Sequence, residues 1–195
     1  MKKLVVLDFD GTIYRGDSLL DFAKFCSKTR YYKSLFAIIL PFIASKMRLY
    51  SRDKMKLIFL RINFSQYTKH LLFEKGRVFF TKHQNKLYKS AVDYIQQSDR
   101  TNSRLVILSA SCVEWLKPFS EFLSCELIST KLAYSPEGNF NDYFDGENCV
   151  GVQKLKALES QLDLRDYSEI IVFGNSKSDL LLKQIATSYH HCYFS

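Results

Sequence analysis

Two aspartates, Asp8 and Asp10, follow directly on the apolar run Leu4-Val5-Val6-Leu7. A short apolar run of this kind predicts a buried strand, and an open α/β sheet places its chemistry at the carboxyl ends of its strands. Two residues apart in extended backbone, the carboxylates point the same way. Like charges converging on one spot repel unless a shared proton or a cation relieves them, so the pair implies a divalent metal. Gly11 allows a sharp turn, and Thr12 offers a hydroxyl and an N–H to an anion held beside that metal. Taken alone, the segment also fits a plain polar turn after a strand.

Three later segments supply what such a pair would need. Arg104-Leu105-Val106-Ile107-Leu108 ends in Ser109-Ala110-Ser111, Lys154 closes Gly151-Val152-Gln153-Lys154, and Glu169-Ile170-Ile171-Val172-Phe173 runs into Gly174-Asn175-Ser176-Lys177-Ser178-Asp179. Each is weak by itself. In this order the four segments resemble the motifs of the haloacid dehalogenase superfamily of phosphatases, in the branch that contains phosphoserine phosphatase.

The resemblance implies a role for each residue. Asp8 is the expected nucleophile, forming an aspartyl-phosphate that splits one hard hydrolysis into two displacements. Asp10 is the expected general acid and base. Ser109, Lys154 and the N–H groups of Gly11 and Thr12 would hold and neutralise the phosphoryl group, since phosphoryl transfer is mostly positioning and charge stabilisation. Mg²⁺ is the expected cofactor, on Asp8, Asp10, Asn175 and Asp179. Asn175 departs from the family, where many relatives carry an Asp; its amide oxygen coordinates a hard cation without adding charge, and Asp179, four residues on, is the residue that would compensate. Asp17 lies nine residues after Asp8, where the resembling phosphoserine phosphatases carry an acid that selects substrate. An Asp before Ser18 and a helical stretch is equally an N-cap, and both readings stand.

The elements that must position these residues alternate along the chain. Strand patterns fall at 4–7, 104–108, 125–129, 169–173 and 191–194, with helical stretches at 113–123, 152–162 and 179–186 between them. This predicts an α/β fold, a Rossmann-like parallel sheet with helices on both faces. A hairpin at 131–134 and 140–144 is joined through Pro136-Glu137-Gly138-Asn139. From 18 to 98 the pattern is almost entirely helical, which resembles the family's all-helical C1 cap; residues 1–14 and 99–195 are then the catalytic core and 15–98 the cap.

At 195 residues and 47% hydrophobic content the chain has enough apolar material for one such core with one insert. Its net charge of +8 is uneven: between Arg15 and Ile95 there are 17 Lys or Arg against 5 Asp or Glu, and elsewhere 11 against 15. No recognised nucleic-acid-binding motif accompanies this basic segment, so nucleic acid is not an expected partner. The apolar stretch 35–43, interrupted by Pro41 and flanked by Lys28, Arg30, Lys33, Lys46, Arg48 and Arg52, is too short to span a membrane. It is expected to be a buried helix of the cap, with partial insertion at a membrane surface as the alternative.

The five cysteines are odd in number and lack Cys-x-x-Cys spacing, which argues for reduced packing residues. His190-His191-Cys192 is expected to be the edge of a last strand rather than a metal site. The apolar run after Met1-Lys2-Lys3 is far shorter than a signal-peptide core, so a cytosolic protein is expected, with peripheral contact at a membrane surface as the alternative. The function that follows is a Mg²⁺-dependent phosphatase acting on a small phosphorylated metabolite or a lipid-linked phosphate such as phosphatidylglycerophosphate. The competing expectation is a catalytically weak membrane-associated or phosphate-binding module of the same fold.

Overall fold

The computed structural model describes residues 2–39, 41–42 and 51–195. Five strands form one parallel sheet: β1 (Lys2–Leu7), β2 (Ser103–Cys112), β3 (Glu126–Thr130), β6 (Tyr167–Gly174) and β7 (Ser188–His191). Their order is β3-β2-β1-β6-β7. The chain moves outward from β1 on one side through β2 and β3, and returns to the other side of β1 with β6. The switch point therefore lies between β1 and β6, and ligands of open α/β sheets bind at such a crevice. β4 (Leu132–Tyr134) and β5 (Phe140–Phe144) form the expected antiparallel hairpin.

β1 is central and covered on both faces, which is why it is continuously apolar rather than alternating. Val5 and Leu7 join one buried cluster with Leu105, Ile107 and Phe173; Leu4 and Val6 join a second with Val106, Leu108 and Val172. The second cluster is closed by Leu158 of α7 (Val152–Glu159). The first is closed by the helical insert and by α6 (Val113–Phe122).

Among the described residues the insert holds α1 (Ser18–Cys26), α2 (Lys28–Ala37), α3 (Arg52–Phe64) and α4 (Lys69–His83), begun by the side-chain caps Asp17, Ser27, Ser51 and Thr68. It sits hard against the core. Phe22 stacks on Trp115 at 4.9 Å, and at Gly76 an added Cβ would lie 2.1 Å from the Glu114 carbonyl oxygen. Only glycine lets α4 approach α6 so closely. The last helix of the 18–98 stretch, α5 (Lys89–Gln97), rests on the sheet, with the Tyr94 ring 5.0 Å from Phe173.

Three expectations are corrected. The last strand is Ser188–His191, not 191–194: the chain turns at Cys192, whose φ is 49°, and Phe194 folds back to stack on Phe173 at 4.8 Å. The helical stretch at 179–186 is shorter than expected, a 3-10 helix over Asp179–Gln184 that ends before the Thr187 N–H joins the sheet at Ile170 O. The 35–43 stretch is not apolar and buried on all sides: Leu35 and Ile38 pack inward, whereas Phe36 is 79% and Ile39 48% exposed. Leu40, Ile43, Lys46 and Arg48 lie outside the described residues.

Candidate active site

Asp8 is the first residue beyond β1. Its N–H donates to Phe173 O at 2.9 Å, which fixes it at the switch point. The Lys154 Nζ donates to Asp8 Oδ1 at 2.6 Å, and the Thr12 hydroxyl donates to Oδ2 at 2.9 Å. The same Nζ donates to Asp179 Oδ1 at 2.6 Å. Both Lys154 and Asp179 are buried, so one cation serves two carboxylates in a place that water does not screen.

The charge balance shows in the protonation tendencies. Burial pushes the Asp8 carboxyl upward against the opposing pull of Lys154. Burial also disfavours the charged Asp179, but Lys154 and the Ser176 donors outweigh it and hold that carboxyl below its ordinary value. Lys154 is raised: burial works against its charge, and Asp8 and Asp179 together overcome that.

Asp179 is tightly engaged. Its Oδ2 accepts the Ser176 hydroxyl at 2.6 Å and the N–H groups of Ser176 and Asn175 at 3.0 and 3.3 Å. It thus shapes the turn that carries Asn175 and braces Lys154, and no oxygen of it is left without a protein donor. Asn175 lies over Gly11, where a Cβ would fall 1.9 Å from the Asn175 Nδ2. Gly11 also has φ +72°, so glycine is required there twice over.

Asp10 points elsewhere. Its Oδ1 accepts the Ser18 N–H and its Oδ2 the Ser111 hydroxyl, both at 2.6 Å. The Ser18 hydroxyl donates to Ser111 Oγ at 2.9 Å and accepts the Trp115 indole N–H at 3.2 Å. Burial, followed by the charge of Asp17, raises the Asp10 carboxyl to about 7. Asp17 itself caps α1, accepting the Leu20 N–H at 3.0 Å, and so acts both as a cap and as a charge beside Asp10.

Two expected donors are used inside the turn. The Gly11 N–H donates to Tyr14 O at 2.8 Å and the Thr12 N–H to Phe9 O at 3.2 Å, while the Thr12 hydroxyl serves Asp8. Ser109 is buried at the end of β2; it accepts the Ser111 N–H at 3.0 Å, which leaves its hydroxyl hydrogen to be donated.

Sequence reasoning passed over Ser18, Ser111, Trp115 and Ser176. Ser111 carried a usable signal, since it lies two past Ser109 on a strand and shares its face. Lys56 of α3 was also missed: its Nζ donates to Ala110 O and Asn148 Oδ1, both at 2.6 Å, and holds the insert over the end of β2. A groove of about 710 Å³ lined by Lys69, Phe73, Arg77 and Pro118 touches none of these catalytic candidates.

For a metal, the described residues contain no cluster of three or more His, Cys, Asp or Glu able to hold an ion. Magnesium does not need one. It keeps several waters and binds through one or two carboxylates plus substrate phosphate oxygens. Asp8 and the Asn175 amide oxygen are hard oxygen donors of that kind, beside a group in which two anions share one lysine.

A carboxylate, a serine and an acid loop at three strand ends, with a lysine brought in by α7, agree with one family. The model of the haloacid dehalogenase-like hydrolases matches residues 5–182. The chain belongs to this family. No curated protein matches its sequence, but solved structures share its fold. A protein of unknown function from Bordetella pertussis aligns with a TM-score of 0.84 at 16% identity, over 97% of this chain and 89% of that one. A phosphoserine phosphohydrolase-like protein from Francisella tularensis gives 0.66 at 19% identity, over 97% and 86%. A substrate-bound phosphoserine phosphatase gives 0.69 at 13%, over 97% and 85%. This haloacid dehalogenase-like hydrolase thus has the expected α/β core, and no helix among its described residues is long and apolar enough to cross a membrane.

Proposed function

We propose that the protein is a Mg²⁺-dependent phosphomonoesterase that works through an aspartyl-phosphate on Asp8. The observation that carries this reading is the separation of two nearby carboxylates by their partners: Asp8 is held by Lys154 and Thr12, Asp10 by Ser18 and Ser111. Asp8 is thereby turned to a lysine able to neutralise a transferred phosphoryl group and Asp10 to hydroxyl and amide donors, which suits the first to attack and the second to proton transfer.

An Asp8 oxygen attacks phosphorus and the ester P–O bond breaks, while Asp10 gives its proton to the departing alkoxide. Asp10, now a carboxylate, takes a proton from a water that attacks the aspartyl-phosphate. The P–O bond to Asp8 breaks, phosphate leaves, and both aspartates return to their starting states. With its carboxyl near 7, Asp10 is suited to both proton transfers at neutral pH. Lys154 and the Ser109 hydroxyl offset charge on the phosphoryl oxygens. Mg²⁺, held by Asp8, Asn175 and the phosphate itself, would supply further charge stabilisation; Asp179 positions Lys154 and the Asn175 turn.

The substrate is a phosphorylated small molecule or a lipid-linked phosphate, met in the cytosol or at the membrane surface. The structural neighbours named for phosphoserine phosphatase support the former class. The weaker alternative, a phosphate-binding module with little turnover, draws on Asn175, which brings no charge to the metal. Hydrolysis of p-nitrophenyl phosphate with Mg²⁺, with chelator, and by Asp8→Asn tests the reading. Mg²⁺-dependent turnover lost in Asp8→Asn supports it; turnover equal in Asp8→Asn and wild type refutes it.

A further inference from the structure

The outer face of α2 and of the turn that follows it carries Tyr32, Phe36 and Ile39 at helical positions i, i+4 and i+7, and they are 57%, 79% and 48% exposed. The inner face is satisfied. Ser34 is buried and accepts the Asn63 amide at 2.8 Å, Arg30 donates to Ile62 O at 3.1 Å, and Tyr31, Leu35 and Ile38 pack on the core. The helix is therefore anchored, and its outward apolar side chains are not required by the packing beneath them.

The sequence around this stripe is basic. Between Asp21 and Asp53 the sequence has seven Lys or Arg and no Asp or Glu. Lys28 and Lys33 stand exposed on α2 itself, and Lys24, Arg52 and Lys54 are exposed on the helices beside it. Apolar residues flanked by lysine and arginine are what an anionic lipid interface accepts: the rings enter the headgroup boundary and each lysine adds attraction. A second copy of the chain is a poor occupant, because pairing two such faces would bring like charges together.

We infer that α2 docks the protein, without spanning, on the surface of an anionic lipid membrane through Tyr32, Phe36 and Ile39 with Lys28 and Lys33. This goes beyond the catalytic proposal and does not depend on it. At ten residues, α2 is about 15 Å long, half a bilayer core, so it lies in the interface plane.

Sedimentation with vesicles of phosphatidylcholine alone and of phosphatidylcholine mixed with phosphatidylglycerol tests it. Wild type should bind the mixed vesicles, bind the neutral ones far less, and be released as salt rises. Phe36→Ser with Ile39→Ser should weaken binding about tenfold or more. That variant should keep its melting temperature and its turnover of a soluble ester, because neither side chain is buried. Lys28→Glu with Lys33→Glu should abolish the preference for anionic vesicles. Equal binding of both vesicle types, undiminished binding by the Ser variant, a lowered melting temperature in that variant, or a wild-type dimer that the Ser variant dissolves would each overturn the assignment.

Discussion

The Ser111 hydroxyl donates to Asp10 Oδ2 at 2.6 Å across 101 residues of sequence, and the hydroxyl of Ser18, from the first turn of the insert, donates to Ser111. Asp10, the proposed acid, is thereby held by both the sheet and the insert. Ser111→Ala should leave the fold intact and lower kcat for p-nitrophenyl phosphate about tenfold, with little change in KM, because Asp10 loses its orienting donor while the phosphate ligands remain. Ser111→Thr, which restores a hydroxyl, should recover most of that loss. An alanine variant with wild-type kcat would show that Ser18 N–H alone positions Asp10.

Asp8→Asn should lower turnover about a thousandfold or more, since the amide cannot form the acyl-phosphate. Its melting temperature should hold or rise. The substitution removes one of two anions competing for Lys154 and leaves the Asp179 pair intact. Turnover and thermal melts on the same preparation separate the chemical role from the structural one.

At the proposed metal site, Asn175→Asp should tighten the Mg²⁺ dependence of activity, because it adds a second charged ligand beside Asp8. The same variant should gain more melting temperature from added Mg²⁺ than wild type does, a readout that needs no turnover. Asp179→Ala should act differently. It leaves a buried lysine with one partner and unties the Ser176 turn, so it should cost about 3–5 kcal/mol of stability, measured by denaturant unfolding. If Asp179→Ala shifts only the Mg²⁺ titration and not stability, Asp179 is a ligand and not a brace.

The strands bearing Asp8, Ser109 and Asn175 were legible because each is an apolar run followed by polar residues, and a central parallel strand leaves that mark without help from the rest of the chain. The partnerships of Asp10 were not legible. Ser18 and Ser111 are ordinary residues in sequence, and only the closing of the insert onto β2 brings them together. The fate of the Gly11 and Thr12 N–H groups was hidden for a related reason, since which amides a tight turn consumes depends on its φ and ψ values. The stretch 35–43 misled because uninterrupted apolar sequence has no polar side to mark solvent, and the exposed face appears only once α3 claims the other. The end of the sheet was misplaced because Tyr193 and Phe194 look like strand residues, yet they cover Phe173 from outside the ladder.

Glu114 offers a test of packing rather than catalysis. It sits in the first turn of α6, 1% exposed, where the Tyr134 hydroxyl donates to Oε1 at 2.7 Å and the charge of Lys69 acts in the opposite sense to burial. Burial, the largest influence, lifts its carboxyl from 4.5 to about 7. The folded protein therefore binds a proton here that the unfolded chain releases at lower pH. Its contribution is fully present below about pH 4.5 and is lost as pH rises through about 7. Glu114→Gln keeps the acceptor for Tyr134 and carries no charge, so at pH 8 it should be more stable than wild type by about 2–3 kcal/mol. That difference should shrink on the way down to pH 4.5 as wild type becomes protonated too. Denaturant unfolding of both proteins across this range measures it, and a stability difference that stays constant with pH would show that the Glu114 carboxylate is not penalised by its burial.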